Sequence, residues 1–204
     1  MVAVRVTDER RCAKLRFTGE GPLPRTGREL FDALPPIPGF RAEVIEGTVI
    51  VSPLGTPEHG WIAADLHDAL LPVRRQHGWR GSVGGVSVCI EGPREPVAPD
   101  YVLSPADCPR WGDLELMSSG VILVAEVVSP SSVMRDRKEK PYLYAQGHVP
   151  IYLLIDTLSS PQVVRVHHNI QRGTYRSTTT VDMGTPIMLP DPVNLELDTS
   201  IFKG

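Results

Sequence analysis

Glu126 is the single charged residue in LVAEVVSP, residues 123–130, an otherwise apolar and β-branched run. Such a run reads as a strand buried on both faces. An ionised carboxylate placed there costs several kcal/mol, of order ~3–5, unless a cation or hydrogen bonds receive it. A second acid, Asp100, occupies the strand-like segment VAPDYVL upstream, and RDRKEK follows downstream with Lys138 and Lys140. If the two strands pair, their carboxylates come within about four to six ångströms, close enough to hold a hard divalent cation such as Mg2+ or Mn2+ through oxygen. A cation held there lowers the pKa of its water and neutralises charge on a phosphoryl oxygen, and Lys138 or Lys140 could stabilise the same oxyanion. The competing reading is a buried Glu126–Lys140 ion pair with Asp100 bonded to loop amides, a network without turnover. Asp136 and Lys140, four residues apart, also fit a salt bridge on a helix surface.

The elements that must position these groups follow from period and punctuation. Residues 1–25 mix charge with Gly and Pro and read as an N-terminal arm; residues 26–204 read as a single domain. Thr26 and Glu29 form a capping box opening the short helix GRELFDAL. RAEVIEGTVIVSP alternates around Glu46-Gly47 and predicts a hairpin, with Glu43 facing solvent and Glu46 in the turn. Thr56-Pro57-Glu58 starts a long helix whose Ile62, Leu66, Leu70 and Val73 share one face, with Pro72 kinking or ending it. His59, in its first turn, reads as a capping or surface histidine on spacing alone.

GSVGGVSVCIEG predicts one glycine-containing strand, and its GxxGG lacks the strand-loop-helix context of a phosphate loop. VAPDYVLSP predicts a strand with Asp100 in its middle, and PADCPRWGDLELMSSG an exposed connection with at most a helical turn. After the strand at 121–129, Asp136 and Glu139 suggest a second capping box, and Pro141 predicts a helix that kinks there or begins there. VPIYLLID is a further buried strand, and short strands fill the remainder. The expected class is α/β, with a mixed central sheet flanked by helices.

Composition narrows the function classes. A formal net charge of -3 and a pI near 6.1 leave no global basic footprint, so any nucleic-acid contact must be a local patch. Three scattered cysteines form no ligand spacing and suit a reducing, cytoplasmic setting. No apolar run approaches the ~20 residues of a membrane span.

AEVIEGTVIVSP, PEHGWIAADL, APDYVL, VAEVVSPSS, DRKEKPYLYA and VPIYLLID, in this order and spacing, resemble the Uma-two family, a branch of the PD-(D/E)XK nuclease superfamily. The resemblance covers about residues 40–156 and implies a restriction-endonuclease-like core. It implies Asp100 and Glu126 as Mg2+ ligands and places Glu43 and His59 at the edge of the site. Val128 stands where the wider superfamily has its lysine; by resemblance the lysine lies on the following helix and matches Lys140. His148 stands where the family tends to have glycine. The implied activity is metal-dependent hydrolysis of DNA phosphodiesters. The alternative is a nuclease-fold protein that binds nucleic acid or a protein partner without cutting. Cutting two strands commonly uses two sites, so a homodimer is among the expectations.

Overall fold

The computed structural model describes residues 4–6 and 24–203. Apart from its strand at 4–6, the expected N-terminal arm lies outside the described residues until residue 24. In chain order the elements are β1 (Val4–Val6), α1 (Gly27–Asp32), β2 (Phe40–Ile45), β3 (Thr48–Pro53), α2 (Pro57–Ala69) and α3 (Leu71–His77). Then come β4 (Arg80–Val83), β5 (Ser87–Ile90), β6 (Glu95–Val97), β7 (Tyr101–Ser104), β8 (Arg110–Trp111), β9 (Glu115–Met117) and β10 (Leu123–Val127). A π-helical turn (Arg135–Glu139) leads into α4 (Lys140–Gln146), followed by β11 (Ile151–Asp156), β12 (Val163–Gln171), β13 (Thr174–Asp182), β14 (Ile187–Leu189) and β15 (Leu195–Leu197).

The central sheet has six strands in the order β13-β12-β11-β10-β7-β4. It is mixed: β10 and β11 run parallel, joined by the crossover through α4, whereas β7 lies antiparallel to β10. Alternation along the strands separates two cores. Leu123, Ala125 and Val127 of β10 face Leu66, Leu70 and Val73 of the α2–α3 pair. Val124 and Val128 point the other way, toward Leu143 and Tyr144 of α4. The expected apolar face of the long helix therefore packs as its spacing predicts, and the chain breaks at Leu70, where Pro72 opens α3.

The β2–β3 hairpin turns at Glu46 and Gly47, both with positive φ (49° and 75°), the pair of left-handed residues that a tight hairpin favours. Glu95 accepts from both of their amides, at 3.0 and 2.6 Å, and ties the turn to β6. One face of the hairpin packs Val44, Val49 and Val51 against Leu30 of α1. The other presents Arg41 and Glu43 toward the central sheet. This corrects the expectation for Glu43, which is buried: α1 covers one side of the hairpin and the sheet the other, so neither face is free for solvent.

Three further expectations change. GSVGGVSVCIEG divides at Gly84 and Gly85, both at positive φ, into β4 of the central sheet and β5 of a separate four-stranded sheet. The connection expected to be an exposed loop contributes β8 and β9 to that second sheet, where β9 pairs parallel with β5. Asp100 immediately precedes β7 instead of lying in its middle.

His148 has φ 61°, a left-handed conformation that glycine adopts without cost, which accounts for the glycine that the resemblance expects there. Replacing His148 with Gly should stabilise the protein by up to about 1 kcal/mol, because relief of the left-handed strain outweighs the added unfolded-state entropy. Urea unfolding of both proteins measures the difference.

Candidate active site

Pairing register brings the two predicted acids together. The β7–β10 ladder matches Leu103 with Leu123, Val102 with Val124 and Tyr101 with Ala125, so its extension sets Asp100 opposite Glu126 on the face shared with Val102 and Val124. The ladder is fastened at that point, since the Asp100 amide donates to the Ala125 carbonyl at 3.1 Å. The Val127 amide donates to Asp100 Oδ2 at 2.9 Å.

Asp100 has two further partners: Arg41 Nη1 lies 2.8 Å from Oδ1 and His59 Nε2 3.1 Å from Oδ2. Burial alone would raise the pKa of Asp100, but the His59 hydrogen bond and the charges of Arg41 and Lys140 outweigh it and hold the carboxyl well below the usual range. Asp100 is therefore ionised. His59 reaches it because the Thr56-Pro57 start aims the first turn of α2 at the sheet.

Glu126 and Lys140 are wholly buried. Lys140 Nζ lies 2.9 Å from Glu126 Oε1 and 3.4 Å from both Glu43 Oε2 and Asp136 Oδ1. Burial opposes its charge, yet these carboxylates push its pKa upward, and it stays an ammonium. Glu126 is shifted the other way from Asp100. Burial raises its pKa well above the ordinary value, Lys140 opposes, and Asp100 and Asp136 reinforce the rise. Tyr144, one helical turn beyond Lys140, donates to Glu126 Oε1 at 3.0 Å. Lys140, not Lys138, is the lysine of the site.

Pro141 does not disturb this arrangement: α4 opens at Lys140 straight out of the π turn, so Pro141 takes an early position of the helix, close to where a start was expected. Helical turns run through 133–146, and the Lys140 amide bonds to the Arg135 carbonyl five residues back. That wide turn brings Arg135, Asp136 and Lys140 all inward. Asp136 is not a capping residue. It pairs with Lys140 as its spacing suggested, but in the interior, and burial raises its pKa against the opposing charge of Lys140.

Sequence reasoning gave no role to Arg41 or Arg135. Arg135 Nε lies 3.7 Å from Glu43 Oε1, and its Nη2 donates to Ser52 at 3.4 Å. The available signal was Arg41 two residues before Glu43, a pair of opposite charges on one strand face. The set thus holds four buried carboxylates (Glu43, Asp100, Glu126, Asp136) against three cations, the buried Arg135 and Lys140 and the partly exposed Arg41.

Nine buried side-chain polar atoms among the described residues lack a hydrogen-bond partner, and five belong to this set: Arg41 Nε, Glu126 Oε2, Arg135 Nε, Asp136 Oδ1 and Lys140 Nζ. Arg135 Nε, Asp136 Oδ1 and Lys140 Nζ have ion-pair contacts only, at 2.9–3.7 Å, whereas Arg41 Nε and Glu126 Oε2 have none among the described residues. Among the described residues, no three His, Cys, Asp or Glu side chains gather as a metal-binding group. The donors fit a less demanding ion. The Glu126 Oε2 acceptor and the ionised Asp100 form a hard, two-carboxylate pair, and Mg2+ commonly takes one or two carboxylates and completes its shell with water and substrate oxygens.

The fold is shared with a solved structure. That structure, described as "a putative nuclease belonging to DUF820 from Anabaena variabilis", superposes with a TM-score of 0.66 at 20% identity, over 88% of this chain and 97% of that one. The family model described as "Uma2: Putative restriction endonuclease" matches residues 28–200, and the chain belongs to that family. Among curated proteins, none matches the chain.

Proposed function

We propose that the protein is a divalent-metal-dependent nuclease that hydrolyses phosphodiester bonds of DNA, with Asp100 and Glu126 as the metal ligands. The concentration of unpartnered buried polar atoms at this one place carries the reading. A network kept for structure alone would satisfy them, since a half-satisfied buried network costs more than an apolar one. Charge points the same way. Once its proton is displaced, Glu126 leaves the set one carboxylate in excess, which a divalent cation together with one phosphodiester anion would neutralise.

In this reading Asp100 is held by His59 and the Val127 amide, and Tyr144 fixes one oxygen of Glu126 so that the other faces the ligand position. Lys140, its ammonium close to Glu126 but free of well-aligned hydrogen bonds, donates to a phosphoryl oxygen as charge develops there. Glu43 and Asp136 hold Lys140 protonated and aimed. A bound Mg2+ or Mn2+ would supply Lewis-acid neutralisation and a water of lowered pKa. The complete burial of Glu126 and Lys140 favours one alternative, a nuclease-fold protein that binds nucleic acid without cutting.

Incubation of plasmid DNA and of RNA with Mg2+ or Mn2+, against a chelator control, separates the two readings: metal-dependent cleavage is expected, and its absence on varied substrates would remove the nuclease. A pH signature is also expected. Because the folded-state pKa of Glu126 is raised, the metal must displace its proton, so affinity tightens as pH rises toward that pKa and about one proton is released. Calorimetric Mn2+ titration in buffers of different ionisation enthalpy measures that proton. No dependence on buffer would contradict the assignment of Glu126 as a ligand.

A further inference from the structure

Arg41 stands where the acids meet the surface. Glu126 and Lys140 have no exposure, whereas the Arg41 side chain keeps 25% of its own. Three surface cavities of about 700, 610 and 610 Å³ all include Arg41 in their walls. They adjoin one another: the first and second share Phe40 and Leu114, and the second and third share Leu54 and His59. Arg41 is thus the wall common to the three, which together read as one groove, and Asp100 lines the middle cavity beside it.

Its bonding is light for an arginine. Nη1 contacts Asp100 Oδ1, while Nε is buried without a partner. Asp100 keeps two positioning partners without it, because His59 and the Val127 amide hold the other oxygen. A swing of the side chain into the groove needs only rotations about its own bonds and breaks neither of those two contacts to Asp100. A guanidinium and a divalent cation on the same carboxylate repel each other, and a guanidinium fork matches a phosphate as well as a carboxylate.

We propose that Arg41 is a latch: it occupies the Asp100 oxygen that a divalent cation needs, covers Glu126 and Lys140, and is drawn off by a backbone phosphate of the nucleic acid lying in the groove. The latch rests on the nuclease reading above and explains how so deeply buried a pair is reached. Metal and substrate then bind cooperatively, since each favours the swung-out arginine. Arg41 positions, through Asp100, a site in which it need not touch the attacked phosphate.

The test compares the wild type with Arg41→Met and Arg41→Gln by calorimetric Mn2+ titration, and by binding of a labelled DNA duplex in chelator. Circular dichroism establishes that each variant is folded. Arg41→Gln retains an amide donor for Asp100 should Arg41→Met fail to fold. Both variants are expected to bind Mn2+ roughly tenfold tighter than the wild type and DNA several-fold more weakly. Unchanged or weaker Mn2+ binding in the folded variants, beside measurable binding by the wild type, would overturn the latch and leave the nuclease reading standing. Unchanged DNA binding would remove the phosphate as the group that opens it. Failure of all three proteins to bind Mn2+ would overturn both readings.

Discussion

Replacing Lys140 with methionine is expected to destabilise the protein by about 3–5 kcal/mol, because three buried carboxylates lose the cation they share. Glu126, Glu43 and Asp136 each lie within 3.4 Å of its Nζ, and none is replaced as a partner by solvent. The methylene stem is preserved by methionine, so lost charge and not lost volume sets the effect. Protonation of Glu126 and Asp136, whose pKa values are already raised, relieves part of the penalty. The destabilisation should therefore shrink as pH falls. Adding Glu126→Gln to Lys140→Met should recover a large part of the loss, since the two groups are in contact and their effects are not additive. Urea unfolding of the single and double variants measures the coupling; a loss below about 1 kcal/mol would place the ammonium in a wetter setting than its burial implies.

Glu126→Gln alone should do the opposite to stability while removing activity. It leaves three carboxylates against three cations and removes the acid whose ionised form burial opposes despite Lys140. A gain of about 1–2 kcal/mol is expected. Its pH dependence has a definite sign. A carboxyl whose folded pKa is raised is favourable when protonated and loses that contribution as pH rises through the folded value. The advantage of glutamine therefore grows from acid toward neutral and alkaline pH. Asp100 behaves conversely: its lowered pKa contributes stability above the ordinary carboxylate range, lost as pH falls through and below it. Cleavage by Glu126→Gln should drop by roughly 10³-fold or more, as for removal of a principal electrostatic group. Higher stability with lost cleavage would mark Glu126 as retained for function. Lower stability with cleavage unchanged would mark it as structural.

The acid pair was legible because β-strand physics is short-range. An acid inside a β-branched run demands a partner, and period two with antiparallel pairing supplies Asp100 on the same face. Position in the chain leaves Lys138 and Lys140 both open, and only family resemblance chooses Lys140 and brings Glu43 to the edge of the site; the burial of Glu43 was not legible. The hairpin itself was clear, but whether Glu43 faced water depended on α1 and the central sheet covering both its sides, contacts that span distant parts of the chain. Arg135 was missed because an α-helical reading turns it away from Lys140, and the same reading makes Asp136 a surface partner of that lysine, whereas the π turn brings all three inward. Pro141 signalled an irregularity there but not its direction. The β8–β9 ribbon escaped because its strands are two and three residues long, too short to show a period among Pro, Gly and Asp.

The central claim is that Asp100 and Glu126 share a divalent cation. Anomalous diffraction from a crystal grown with Mn2+ and a nucleic-acid strand tests it most directly. The account predicts a peak bonded to Asp100 and to Oε2 of Glu126, with Arg41 turned away. A strand bound in the groove with no peak between the two carboxylates, and with Arg41 still on Asp100, would contradict it.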